Sequence, residues 1–359
     1  MSAKATKTML AAYFQDAMPV MHLAGLFRTP AQNFHDTEEV EIDIERSGED
    51  IATVITDLST GTHLNNFDGF TNKTFTPPIY HEQAGINAFE LMGREVGQNP
   101  FESTSFNAKA ILRAMRHFRK LEAKVRRAVE LQAAQVLQTG TLTLKDAKGA
   151  DSYVLDFKPK ATHFPTAGTV WGQTGDSKVA DLLALAEVIR SDGLSNPDRL
   201  EFGEKAFAEF LRDEEVQTLL ENRRMELGSV APQTRGNGGT YQGHIWLGSY
   251  RFEMWTYSGR YKDPQTGAST RYWKTGNVGM MDSSARLDLS FGSIPFIQRP
   301  ARQLAGLPSR IVNSAAGFGM TTNNWVDESG SNLQVTAGTR PLCIPTAIDK
   351  FGCLDTGLV

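Results

Sequence analysis

Residues 40–45, Val-Glu-Ile-Asp-Ile-Glu, alternate strictly between apolar and acidic. Successive side chains of an extended chain point to opposite faces. The pattern therefore predicts a strand with Val40, Ile42 and Ile44 on a dry face and Glu41, Asp43 and Glu45 on an acidic one. Two readings stay open for the acidic face: an edge kept soluble by charge, or a docking surface. From Ser103 to Gln138 the period changes. Ile111, Met115, Phe118, Val125, Val129 and Val136 recur at spacings of three, four and seven, broken at Glu122. This predicts a long helix, capped by Ser103 or Ser105 and ended by Gly140. At 1.5 Å per residue it runs roughly 50 Å, more than a small core requires and suited to a spine across an elongated domain. Between strand and helix, Ile51 to Met92 shows no helical period and carries Gly61, Gly69, Pro77, Pro78 and Gly85. Its short extended pieces, Ile51–Ile55 and Lys73–Thr76, fit a two-stranded projecting arm, which is marginal until a partner covers it.

Beyond Gly140 come β-like stretches at Thr141–Leu144 and Tyr153–Phe157, then a compact α/β region. Val179, Leu182, Leu183, Ala186 and Ile189 make one helix face, with Asp176 or Ser177 as cap and Gly193 as stop. Further helices are predicted at Glu204–Leu211 and Glu214–Leu227, the second closed by Gly228. Gly248-Ser249 between Ile245-Trp246-Leu247 and Tyr250-Arg251-Phe252 suits a tight hairpin turn. A second turn at Asp263–Gly267 leads into an aromatic strand, Thr270–Lys274. Trp246, Trp255 and Trp273 read as core aromatics, and Leu342 to Val359 as short strands. Thr8–Leu26 is weakly helical. The fold class is α+β.

The chain has 359 residues, enough for two ordinary cores. A net charge of −4 argues against sequence-specific DNA binding and leaves room only for local contact with nucleic acid. That charge is unevenly placed. Residues 36–50 hold eight acids against Arg46, and residues 109–127 hold eight Lys and Arg against Glu122. An acidic arm and a basic helix in one chain point to association with further copies. Cys343 and Cys353 read as reduced, partly buried thiols. The first 27 residues, interrupted by Gln15 and Asp16, do not read as a signal peptide, and no run of about 18 apolar residues spans a membrane.

Catalytic and ligand-binding signatures do not appear. Gly236-Asn237-Gly238-Gly239 lacks the Lys-Ser/Thr of a phosphate loop and reads as a flexible loop. The seven histidines have no ligand spacing, no serine sits in a nucleophile elbow, and no metal or cofactor set is expected. A structural role, not an enzyme, is the expectation.

The order of elements and several strings carry a resemblance. Leu26-Phe27-Arg28 leads into Thr37-Glu38-Glu39-Val40; Phe75-Thr76-Pro77 lies in the projecting loop; Asn324-Trp325-Val326 and Arg340-Pro341-Leu342 precede the end. Over nearly its whole length the chain resembles the lambda-type major capsid proteins of tailed bacteriophages, the capsid protein E family, with the Hong Kong ninety-seven-like shell fold. The resemblance implies an N-arm (1–48), an E-loop (49–92), a peripheral domain (93–170 and 321–359) with its spine helix, and an axial domain (171–320). The turn-rich 282–323 segment departs from the family pattern. The implied function is a major capsid protein that forms pentamers and hexamers and closes an icosahedral shell around double-stranded DNA, in the virion, after assembly in the host cytoplasm. The implied partners are further copies of the chain, a separate scaffolding protein, a portal protein and, as a further candidate, a decoration protein. No catalytic residues carry over.

An inter-subunit interface is expected to use Glu39, Glu41, Asp43 and Glu45 of the arm, Phe75, Pro77 and Tyr80 of the loop, and Arg113, Arg116, Arg126 and Arg127 of the helix. The acidic arm is expected to lie on the spine of a neighbouring copy, with bases facing solvent or packaged DNA as the rival reading. Lys73 is read as an ordinary solvated lysine in preference to a cross-linking one. An encapsulin-like compartment shell is the alternative function, and an enzyme with a site assembled from scattered residues a third.

Overall fold

The computed structural model describes residues 19, 21–37, 39–44, 71–93, 105–145, 149–221, 228–235, 238–294, 303 and 319–358. In chain order its elements are β1 (Val40–Ile44), β2 (Thr71–Phe75), β3 (Tyr80–Asn87), α1 (Ala88–Met92), α2 (Phe106–Thr139), β4 (Thr141–Lys145), β5 (Asp151–Asp156), α3 (Lys178–Gly193), β6 (Arg199–Phe202), α4 (Glu204–Leu211), α5 (Glu214–Leu220), β7 (Gly228–Thr234), β8 (Gly239–Leu247), β9 (Tyr250–Tyr257), β10 (Arg260–Lys262), β11 (Ser269–Arg271), β12 (Asn277–Met281), β13 (Asp288–Gly292), β14 (Thr321–Val326), β15 (Asn332–Ile344) and β16 (Phe351–Asp355).

The spine is α2, 34 residues and about 51 Å long. Ser105 caps it by accepting from the Ala108 amide, and Gly140, at φ 65°, takes the left-handed conformation that ends it. Its second half buries Val129, Ala133, Val136 and Leu137 against Leu289, Phe291, Leu342 and Ile344 of β13 and β15. In its first half the buried stripe is not the expected one. Ala110 and Ala114 face Ile86, Leu91, Leu333 and Val335, while Leu112 and Met115 point outward. Alanine allows a strand to lie close to the helix, so small residues mark the contact there and larger ones are left on the surface.

Strand β15 organises one sheet. It pairs antiparallel with β3 and β14 through residues 332–339 and with β13 through residues 340–344. The other sheet runs β16-β12-β6-β9-β8-β7, with one parallel pair, β6 and β9. Helix α3 lays Leu182, Leu185, Ala186 and Ile189 over Leu200, Phe202, Phe252 and Met280 of this sheet.

The structure departs from the sequence reading at defined places. Tyr80–Asn87, expected in the projecting loop, is a sheet strand. Asp288–Gly292, expected with the axial residues, pairs with β15, and Phe351–Asp355, expected with the peripheral ones, pairs with β12. Ala88–Met92 is helical. Helix α5 ends at Leu220 and Gly228 opens β7 instead of closing a helix; residues 222–227 lie outside the description. Only Ser269–Arg271 of the aromatic stretch is strand, because Tyr272 and Trp273 turn into the core. Trp273 is buried, Trp255 half-buried and Trp246 exposed. Of the helix expected over 8–26, residues 8–18 and 20 lie outside the described residues, and of the described part only Ala24–Leu26 is helical, as a 3-10 turn; residues 51–55 and 236–237 also lie outside the description. The Gly248-Ser249 turn joins β8 to β9 as expected, with Leu247 opposite Tyr250.

Gly140 permits a direct check. A Cβ there would lie 2.5 Å from Pro159 Cγ at a left-handed φ. Gly140→Ala should cost about 1–3 kcal/mol, measured by urea unfolding with an unchanged m-value.

Candidate assembly interface

The N-terminal segment meets the spine at Glu130, a side chain only 1% exposed. Its Oε1 accepts from the His22 and Leu23 amides at 3.1 and 2.9 Å, and its Oε2 from the Ala24 amide at 3.0 Å. One carboxylate thus satisfies three consecutive N–H groups where the chain turns through the 3-10 helix Ala24–Leu26. Beside it, His22 Nε2 lies 2.8 Å from Glu201 Oε1; a carboxylate accepts, so Nε2 donates. Arg199 Nη2 reaches Glu201 Oε2 at 3.1 Å, and the Arg199 guanidinium sits 4.4 Å over the Trp255 ring. The His22 ring packs 4.9 Å from Tyr257 and against Gly239, where any Cβ would collide with it. Burial opposes the charge on Glu201, but the His22 ring and the Arg199 guanidinium bonded to it prevail and hold its carboxyl below the usual range. The hub joins the arm, the spine and the six-stranded sheet.

From there the segment runs beside β13. Arg28 exchanges backbone hydrogen bonds with Leu287 and Leu289, the His35 amide donates to Phe291 O, and Phe34 stacks on Phe291 with ring centroids 4.9 Å apart. Strand β1 then pairs along its whole length with β2, Val40 opposite Phe75. The arm therefore lies on its own subunit as far as Ile44.

This placement sorts the expected interface residues. Glu39 and Glu41 are exposed at the start of β1, Asp43 stands opposite Asn72, and Glu45 lies outside the described residues. Lys73 sits in β2 opposite Ile42. Phe75, Pro77 and Tyr80 are packed within the subunit. Phe75 is buried against Phe157, the Pro77 carbonyl accepts from the buried Arg340 at 3.3 Å, and the Tyr80 hydroxyl accepts from Gln132 at 2.8 Å. Arg113 pairs with Glu90 at 3.3 Å and Lys124 with Glu82 at 2.7 Å. Arg126 pairs with Glu122 at 2.8 Å and touches Met21, and Arg127 faces Tyr272. Arg116 is half-buried, whereas Arg119 and Lys120 are exposed and pair with no carboxylate among the described residues. Among the described residues, Glu39 and Glu41 form no ion pair with the bases of the spine.

Sequence reasoning missed Glu130, His22, Glu201, Arg199 and Arg340. A lone acid within Ala-Val-Glu-Leu of an otherwise apolar helix stretch is the one local signal, and it marks Glu130. Cys343 and Cys353 are buried thiols; burial pushes Cys353 up to about 12. Among the described residues no group of three His, Cys, Asp or Glu is placed to hold a metal ion, and no helix is long and apolar enough to cross a membrane.

The family model described as phage major capsid protein E matches residues 9–351. The chain belongs to this family. The shell fold agrees. A prophage protein of E. coli CFT073 described as a capsid protein superposes with a TM-score of 0.56 at 15% identity, covering 80% of this chain and 79% of its own. A phage-related protein of Bordetella bronchiseptica RB50 gives 0.49 at 10% identity, covering 97% and 95%. An encapsulin of Synechococcus elongatus PCC 7942 gives 0.42 at 9% identity, covering 96% and 92%. No curated protein matches significantly. As a phage major capsid protein, the chain is a structural component of the virion shell and associates with copies of itself. The fold is the Hong Kong ninety-seven-like fold of phage capsid proteins.

The hub gives this capsid protein a measurable signature. Glu130→Gln sets an amide donor against backbone donors and should cost about 1–3 kcal/mol in unfolding experiments, with earlier proteolytic cleavage ahead of Ala24. Because the Glu201 carboxyl is depressed in the folded state, its contribution is complete above the ordinary carboxylate range and is lost as pH falls through the depressed value. The acid limb of stability should therefore be shallower in Glu201→Gln than in the wild type.

Proposed function

We propose that this capsid protein assembles as pentamers and hexamers into a closed icosahedral shell around double-stranded DNA, in the host cytoplasm, with a separate scaffolding protein and a portal protein. A decoration protein is a further candidate on the outside. The observation that carries the reading is the family match across residues 9–351. It favours the phage shell over an encapsulin-like compartment. In this reading the N-arm and the E-loop ribbon reach other copies. The spine, β3, β13, β14 and β15 form the peripheral unit, and α3 with the six-stranded sheet forms the axial one.

Charge placement supports a contact between copies. Glu39 and Glu41 are exposed on the arm, and Arg119 and Lys120 on the spine. The bases most suited to a neighbouring acidic arm are these two, since Arg113 and Arg126 already serve carboxylates of their own chain. Ile79, Phe89, Met92, Leu112 and Met115 add exposed apolar surface on the loop and the first half of the spine.

Electron microscopy of the protein expressed with its scaffold should show closed particles of uniform diameter whose nucleic acid resists nuclease. Particles filled with a protein cargo instead would favour the compartment reading, and a compact monomer under all assembly conditions would contradict both. Arg119→Glu with Lys120→Glu should reduce particle yield without changing the unfolding midpoint of the monomer, and raised salt should have the same effect. Unchanged yield would refute the pairing.

A further inference from the structure

One side of the spine changes its cover along its length. Leu112, Met115, Arg119, Glu122 and Arg126 follow one another at spacings of three and four, on the side away from Ala110 and Ala114 and the strands they pack on. The same spacing continues through Val129, Ala133 and Val136, which the subunit buries in its own core. At Arg126 the cover is the N-terminal segment. Met21 Sδ lies 3.7 Å from Arg126 Nη1, and the amides of His22, Leu23 and Ala24 are held on Glu130. Toward the start of the helix the stripe ends in two exposed apolar side chains, Leu112 at 52% and Met115 at 47%.

The chain that leads back from Met21 has the composition and the length to continue that cover. Residues 1–18 lie outside the description, and their sequence supplies the pattern. Leu10, Tyr13, Phe14 and Ala17 recur at spacings of three, one and three, the apolar face expected of a helix that Pro19 stops. Leu10 stands eleven residues before Met21, and Met115 eleven before Arg126. Two antiparallel helices that rise about 1.5 Å per residue from the contact of Met21 with Arg126 bring Leu10 level with Met115. A more extended turn at Pro19 carries the contact on to Leu112. Arg119 lies under this path; its stem packs while its guanidinium stays in water, so its charge remains available to another copy.

We propose that the exposed pair Leu112 and Met115 is the docking surface for residues 8–18 of the same chain, which run antiparallel along the spine and cover the pair with Leu10, Tyr13 and Phe14. Removing these apolar groups from water on both partners drives the contact. Tethering selects the chain's own segment over another copy's. A segment fixed at Met21 meets the stripe at an effective concentration on the order of millimolar. The N-terminal segment is then seated twice on one helix, by its backbone at Glu130 and by its side chains at Met115. This inference concerns the single subunit and does not depend on what the shell encloses.

Limited proteolysis of the unassembled full chain with chymotrypsin, which cuts after aromatic residues, tests it. The bonds after Tyr13 and Phe14 should be cut about tenfold faster in Leu112→Ser with Met115→Ser than in the wild type, because the surface that protects them is lost. Cutting after the buried Phe27 should stay slow in both. The wild-type rate should be independent of protein concentration. Equal rates in the two proteins overturn the proposal, and protection that rises with concentration overturns it by giving the stripe to another copy. A second measurement keeps the stripe intact elsewhere. Leu10→Cys with Met115→Cys should close a disulfide within the monomer on mild oxidation, the two native thiols being buried. Leu10→Cys with Val154→Cys, at a position 65% exposed on β5, should not. Equal yields from the two pairs, or a disulfide only between chains, contradict the proposal.

Discussion

A carboxylate sealed from water must be satisfied by donors that cannot leave, and Glu130 is the point where this capsid protein meets that demand. Its two oxygens hold three backbone amides of the N-terminal segment. Neighbouring His22 carries the connection on to Glu201 in the six-stranded sheet. Positions 108 and 179 residues along the chain from His22 are thereby fixed to it at one place. The path of the arm follows from that anchor. Leaving the hub at Leu26, it runs beside β13, stacks Phe34 on Phe291, and delivers β1 to pair with β2.

A shell of identical chains needs repeated contacts without open-ended growth, and it gains contact area from projecting segments more readily than from a larger core. The division of labour within this subunit agrees with that. The arm's backbone and apolar side chains are used internally, with Val40 and Phe75 buried, while Glu39 and Glu41 stay outside. The spine likewise uses Arg113, Lys124 and Arg126 for its own acids and keeps Arg119 and Lys120 exposed. Charge is therefore held in reserve on both elements after the subunit has folded.

Much of the fold was legible because its signals are local. The Val40–Ile44 alternation, the Ser105 and Gly140 caps of the spine, and the Gly248-Ser249 hairpin each depend on a few adjacent residues and appear as expected. The misreadings share a cause: partners far away in sequence. Ala110 and Ala114 carry little hydrophobic weight, yet they define the buried stripe because β3 and β15 pack on them. Arg199–Phe202 escaped notice because Glu201 interrupts its apolar run, and its reason for being buried, His22, lies 179 residues earlier. The two charged segments drew attention to the arm and the spine. Which charges remain for other copies was decided by Glu82, Glu90 and Glu122, and only the folded arrangement reveals that.

The most direct test of this account is a high-resolution electron-microscopy map of the assembled particle. The account predicts a closed shell in which residues 22–24 of every subunit sit on that subunit's own Glu130, with the acidic face of β1 turned toward the exposed bases of another copy's spine. A shell in which the arm crosses over to a neighbour's Glu130, or in which the acidic face of β1 meets only solvent, would contradict it.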